Sequence, residues 1–471
     1  MALGGGTFTV QNKVLPGTYI NFISAAGTSN VFGERGTGCI GTLLDWFDDN
    51  DVTVTFSDVV KNGLKIFGHS YTEPQMMFIR EFFKKGSKLI VGAVNDTKTK
   101  ATKVGTTNTG HRFTAKKYGT RGNDIKIMIT KNVDNTSAYD VKTYLGTTLV
   151  DSKIGITKLT DADSNDFVDI EATTEITTIT GAETIILTGG TGDADTSSLT
   201  STGVEKFLDR AERYSFNCFA LVDNIVGDNY QVKDNMKNYI SLVAEWTKRM
   251  RDDVGIKFQS VICTSDKSSA NHEGIVRVPQ NFNVKDSNGK EYSSKSLICA
   301  WVCGALAGCE INRSLTNTLY DGELVPKEDT VYTQSELEEQ LEYGNFVFHY
   351  VGDELRVLED INTFTEVADD KGDVFKSNQT VRVCDQIAND IAAIFNTYYL
   401  GKVQNDAAGR SAFKAEIVKH HNKLMDLRAI GDFESDDVTV EQGDTKKSVV
   451  VTDNITVVNA MEQLYMTVVV A

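Results

Sequence analysis

Apolar and polar residues alternate at both ends of this chain, and a period of two is the mark of a half-buried strand. Residues 7–11 and 18–24 alternate around the Pro16-Gly17 turn, and residues 463–470 do the same just before Ala471. No partner strand stands next to either segment in the sequence. The final LYMTVVVA has neither the charge nor the proline that usually blunts an exposed strand edge. Both ends are therefore expected to be arms that a neighbouring subunit covers by strand addition.

Between the arms the pattern changes several times. Residues 52–56 and 89–94 are strand-like and residues 75–84 helical, which predicts an α/β layer. From about 97 to 198 Thr, Asp, Gly and Ser dominate, with short strands at 125–130, 139–145 and 185–188, the pattern of a small β-domain. Helical periodicity returns at 204–213 and 230–250, interleaved with the apolar runs 218–222 and 258–263, so the β-domain is expected to interrupt one α/β domain. Asn288-Gly289 predicts a hairpin within 282–294, and 296–312 a helix rich in Ala, Gly and Cys. A last region opens with a hairpin (346–351, 354–358). Its first helix carries Ile387, Ile391, Ile394, Phe395 and Tyr398 on one stripe with Gly401 as the stop. Its second carries Phe413, Ile417, Leu424 and Leu427, ending at Gly431. Short strands at 438–441, 449–451 and 455–458 follow. The expected class is multidomain α/β (α+β): an arm at 1–24, a discontinuous core at 25–96 and 199–341, an insertion at 97–198 facing outward, a C-terminal inner domain at 342–460 and a terminal arm strand at 461–471.

Composition narrows the function. With 48 Lys and Arg against 65 Asp and Glu, the chain carries −17, the wrong sign for tracking a phosphate backbone, so no direct nucleic-acid contact is expected. Seven cysteines scattered through apolar segments predict a reducing compartment. The start has no signal-peptide pattern and no stretch is long and apolar enough for a bilayer, which predicts cytoplasmic folding without membrane insertion.

Catalytic and cofactor signals are thin. Gly36, Gly38 and Gly41 fit G-x-G-x-x-G, but the residues that follow break up at 48–51, and a glycine-rich turn is the plainer reading. Cys299, Cys303 and Cys309 lie in CAWVCGALAGC, whose small apolar residues predict a core helix and not a metal site. Asp286, Asn288 and Glu291 belong to a hairpin turn, too short for a calcium loop. His420-His421 predicts a partly exposed polar face, and the run Glu336, Glu338, Glu339, Glu342 a solvated one. Residues 402–428 stand out as basic: Lys402, Arg410, Lys414, Lys419, Lys423 and Arg428 oppose only Asp406, Glu416 and Asp426. Such a helix in so acidic a chain marks a candidate partner surface.

Four segments, in order, resemble the tail sheath proteins of contractile phage tails and phage-tail-like bacteriocins. They are VLPGTYINF (14–22), KYGTRGNDIKIMI (117–129), AWVCGALAGCEINRSLTNTLYDG (300–322) and RVCDQIANDIAAIFNTYYLGKVQNDAAGRSAFKAEI (382–417). The resemblance implies a non-enzymatic subunit without cofactor, stacked as hexameric rings around an inner tail tube protein, with baseplate and tail-terminator proteins at the ends. It implies assembly in the host bacterial cytoplasm and contraction that drives the tube through a cell envelope. It also implies that Tyr19, Ile20, Asn21 and Phe22 of one arm, and Leu464, Tyr465, Met466, Thr467, Val468, Val469 and Val470 of the other, add strands to neighbours. Lys414, Lys419, His420 and Lys423 are the expected tube-docking residues. The alternatives are a non-contractile tube or shell protein with exchanged arms and, further off, a nucleotide-binding enzyme.

Overall fold

A computed structural model describes residues 34–162, 164–172, 178–192, 199–226, 230–232, 234–327, 331–367 and 371–470. The predicted N-terminal arm, with Tyr19, Ile20, Asn21 and Phe22, lies outside the described residues, as does Ala471.

Six strands make the central sheet, in the order Ile275–Val278, Gln259–Cys263, Cys218–Leu221, Thr37–Thr42, Lys88–Ala93, Val52–Thr55. All neighbours run parallel except the last pair. Alternate residues of each strand enter opposite cores: Ile40, Leu89 and Val91 pack on one face, Cys39 and Ile90 on the other. Because both faces are covered, the inner strand Cys218–Leu221 reads as the unbroken apolar run CFAL.

The helices α1 (Phe56–Phe67) and α2 (Met77–Phe82) cover the first face, α3 (Ser201–Ala211) and α4 (Ile240–Lys248) the second, and α5 (Ile298–Gly308) returns to the first. Helix α1 is not predicted by the apolar pattern, although its start is locally encoded. Thr55 and Asp58 cap each other reciprocally, and Gly68 closes the helix at φ +74°. The expected helix at 230–250 is shorter than its pattern suggested. A strand at 231–232 and a single 3-10 turn precede α4, and the chain ends the segment in a π-helical turn, Arg249–Val254. Helix α5 is apolar all round and buried, with Cys299 and Cys303 acting as small core residues.

The interruption is a β-sandwich. One sheet holds Glu183–Ile186, Ile125–Lys131, Tyr139–Leu145 and Thr148–Ile156; the other holds Thr102–Val104, His111–Ala115 and Val168–Ala172. Phe113, Ile127, Val141 and Ile185 fill the space between them. After α6 (Gln334–Glu342), a surface helix with none of its residues buried, the chain builds a C-terminal unit on α7 (Asn378–Ile394) and α8 (Ala407–Asp426). Ile387, Ile391, Ile394, Phe413, Ile417 and Leu424 form its core as the stripes predict, but Tyr398 and Leu427 stand exposed. The segments Val438–Gln442 and Val449–Asp453 pair as a hairpin.

Candidate assembly surfaces

The C-terminal tail is tied down and then let go. Val458 N–H donates to Ala429 O at 3.0 Å, Ala460 N–H to Gln379 Oε1 at 2.9 Å, and Glu462 Oε1 accepts from Ser314 and Thr316. Beyond Glu462 the chain has no strand partner among the described residues. Leu464, Tyr465, Met466, Val468, Val469 and Val470 are 68–89% exposed, and Thr467 is exposed with them. The expected strand at 463–470 is therefore not formed within a single chain. A strand needs a neighbour for its N–H and C=O groups, and here none is in reach. A contiguous apolar run of this kind marks an interaction surface. The hairpin 438–442/449–453 offers the converse feature: no further strand of the described residues pairs with either of its edges.

At the opposite end, Arg35 is half-buried against the C-terminus of α5, donating to Leu306 O at 3.0 Å and Cys309 O at 3.1 Å. Its third contact, 3.4 Å to Gln386, is on α7. Arg35 thus links the first described residues to both α5 and the C-terminal unit.

Helix α8 presents Lys419 and Lys423 to solvent and Lys414 half-buried, 3.9 Å from Asp436. His420 is a correction to the expected docking set. Both His420 and His421 are fully buried, His420 Nε2 lying 3.0 Å from Asp390 and His421 Nε2 2.9 and 3.0 Å from the Asp453 carboxylate. Their helical spacing explains it. His421 is four residues after Ile417 and His420 four before Leu424, and an apolar stripe about 100° wide accommodates both. Burial pushes both rings down, His420 to about 2, and pushes Asp453 up to about 9 with Asp437 adding to it. The hydrogen-bonded His421–Asp453 pair fixes α8 to the hairpin.

Helix α7 joins the C-terminal unit to the core through buried charges. Arg251 grips Asp385 bidentately at 2.7 and 2.8 Å, and Arg382 meets Asp360 at 3.0 Å. Asp252, His272 and Glu273 lie close to the first pair, close enough together to suggest a cation site. Their chemistry does not fit one. His272 Nδ1 accepts the Gly274 N–H at 2.9 Å, which leaves the proton on Nε2 facing Asp252 at 3.0 Å, and Lys371 is already 2.9 Å from Glu273. The cluster is an ion-pair network that fuses two domains.

A cavity of about 320 Å³ opens at the C-terminal ends of the parallel strands, where open α/β sheets place ligands. Its cations are engaged: Lys206 with Asp96 at 2.7 Å, Arg210 with Asp51 at 2.9 Å, and Lys98 with Asp49. The G-x-G-x-x-G glycines are not beside it as a loop, since Gly38 and Gly41 lie inside the central strand. A Cβ on Gly38 would stand 2.2 Å from Phe82, and one on Gly41 2.3 Å from Phe207. They serve helix–sheet packing.

The β-sandwich is locked to the core by Trp46, which is fully buried in the sandwich's own hydrophobic cluster and stacked on Phe167 at 6.1 Å. Beside it His69 bridges Asp45 (3.0 Å) and Glu73 (2.8 Å). Burial disfavours the charged ring, yet the two carboxylates outweigh it and hold His69 up to about 9. The ring's raised value means its stabilisation is complete below pH 6.5 and lost as pH rises through about 9. It amounts to about 3 kcal/mol. The melting temperature should accordingly fall between pH 6.5 and 9.5, and His69→Gln should flatten that slope. Parallel wild-type and variant curves would refute the assignment.

These features define a class first: a multidomain subunit with fused domains, an exposed apolar tail and a hairpin with open edges. The chain belongs to the phage tail sheath family. The family's β-sandwich domain matches residues 94–195, its central domain 195–363 and its C-terminal domain 370–471. The sheath tail protein of Desulfitobacterium hafniense is 29% identical with a TM-score of 0.73, over 96% of this chain and 99% of that one. The phage-like element PBSX protein XkdK of Bacillus subtilis strain 168 is 27% identical over 98% of this chain and 99% of that protein. The anti-feeding prophage helical sheath in its contracted state shares the fold alone, at 11% identity and TM-score 0.55 over 97% and 99% of the two chains.

Proposed function

We propose that copies of this sheath protein stack as hexameric rings around an inner tail tube, assembled in the host cytoplasm between a baseplate and a tail terminator. Contraction of the stack drives the tube through a cell envelope. The N-terminal arm and the tail join neighbours by strand addition, the tail of one copy extending the 438–442/449–453 hairpin of another. What carries this reading is the pairing of an unpartnered apolar tail with an unpartnered hairpin in one chain. The buried ion pairs between α7 and the core support a subunit that moves as one body, so that the change on contraction resides in the interfaces between subunits.

Lys414, Lys419 and Lys423 of α8 dock on the tube in the extended state. Exposed ion pairs are each worth about 0–1 kcal/mol and weaken with salt, which suits a contact that must slide. Electron microscopy of the purified protein should show wide hollow cylinders, and reversal of the three lysines to Glu should leave them intact while impairing co-assembly with tube. Monodisperse monomers under all conditions would overturn the sheath reading. Normal extended tails from the triple variant would overturn the docking face.

A further inference from the structure

The segment 300–322 carries one of the four family-like motifs, and its apolar residues, α5 together with Ile311 and Leu315, are explained by core packing. The turn Arg313–Thr316 does something else. It is a rigid socket: Arg313 O accepts from Arg382 at 2.8 Å, Leu315 N–H donates to Asp360 Oδ2 at 3.0 Å, and Asp360 and Arg382 are themselves a buried ion pair. Two hydroxyls of this turn, Ser314 Oγ at 2.9 Å and Thr316 Oγ1 at 2.7 Å, converge on the single oxygen Oε1 of Glu462.

Their hydrogens are aimed by the backbone. Thr316 N–H donates to Ser314 Oγ at 3.1 Å, and Asp360 N–H donates to Thr316 Oγ1 at 2.9 Å. With an acceptor lone pair of each hydroxyl already engaged, Thr316 donates its proton to the carboxylate, and the single proton of Ser314 Oγ is shared between that oxygen and Thr316 Oγ1, 3.0 Å away. Glu462 is the last residue that the tail ties to its own subunit before the exposed apolar run. Upstream of it, Gln379 holds the Val458 carbonyl and the Ala460 N–H.

We infer that the Ser314–Thr316 turn is a latch that fixes the point and direction at which the tail leaves its subunit, so that only the residues beyond Glu462 are donated to a second copy. This deepens, and rests on, the reading of the tail as a donated strand. Eight residues, 463–470, span about 26 Å when extended. Anchoring their root keeps that span directed at a neighbour. Releasing it lengthens the free segment and dilutes the donated strand in a larger volume.

The test uses the full-length protein. Glu462→Ala removes the acceptor at an exposed position, so folding and melting temperature should be unchanged. Hydrogen exchange at 461 and 462 should rise to the rate of the tail while Ala460, still held by Gln379, keeps its protection, and the protein concentration at which sheaths form should increase about 1.5-fold, the −3/2-power cost of two more free residues. Glu462→Gln, which keeps one acceptor oxygen, should recover most of the loss. Ser314→Ala combined with Glu462→Ala should be no worse than Glu462→Ala alone, because both act through one contact. Deletion of 463–471 is the control. If deletion abolishes assembly but Glu462→Ala assembles at the wild-type concentration with wild-type exchange, the latch is wrong and the donated tail stands. If the deletion variant assembles normally, the donated tail is wrong and the latch falls with it.

Discussion

Deletion of residues 463–471 should leave a soluble subunit with the wild-type melting temperature and no capacity to form a connected sheath. The first half of that expectation follows from exposure, since side chains 68–89% open to solvent contribute little to the stability of their own chain. The second follows from the open hairpin. An added strand makes about four to six backbone hydrogen bonds at roughly 0.5–1.5 kcal/mol each, so one tail contributes only a few kcal/mol. Repetition around every ring turns that modest term into a lattice, because each further contact forms at high effective concentration. Sedimentation and electron microscopy would read the result directly. Wild-type-like cylinders from the truncated protein would contradict it.

Trp46→Ala is expected to be the most destabilising single substitution at the sandwich junction. The indole is fully buried, donates to Lys65 O at 3.1 Å and supplies core volume to a domain other than its own. Truncating a buried tryptophan costs about 3–5 kcal/mol, which corresponds to about 10 °C in melting temperature. The same residue changes what excision of the sandwich should do. The polar, Thr-rich composition of 97–198 predicts a dispensable outward domain, and assembly should survive its replacement by a short Gly-Ser linker. Excision, however, uncovers Trp46 and Leu64, so the shortened protein should melt lower and aggregate unless Trp46 is also made polar. Calorimetry of the two variants checks both statements. A Trp46→Ala protein that melts within 2 °C of wild type, well inside the shift expected of a lost core residue, would contradict the junction.

Much of this architecture is legible in the pattern of residues because the signals are local. Strands buried on both faces appear as apolar runs at 218–221 and 259–263, the hairpin announces itself at Asn288-Gly289, and Gly401 marks a helix end with φ +71°. Helix α1 is masked in the sequence because a strand-like VTVTF runs straight into it, and the Thr55–Asp58 capping box that divides the two is a four-residue signal beside a longer alternation. The misreading of His420 had a different cause. Two adjacent histidines look like a solvated pair until the partners Asp390 and Asp453, 30 and 32 residues away in sequence, meet their ring nitrogens by hydrogen bonds in the fold. The latch was hidden for the same reason: Ser314 and Glu462 are 148 positions apart, and nothing in a hydroxyl's neighbourhood names the carboxylate it will meet. The domain junction at Trp46 and the fusion of α7 to the core are also contacts between distant segments, which periodicity does not encode.

The most direct test of the assembly account is a cryo-electron microscopy map of sheaths grown from the full-length protein, traced continuously from Glu462 onward. The account predicts that residues 463–470 cross to another subunit and lie as an added strand against its 438–442/449–453 hairpin, with Glu462 still seated on Ser314 and Thr316 of its own chain. A tail folded back onto its own subunit, or a hairpin whose edges stay unpaired in the assembled sheath, would contradict it.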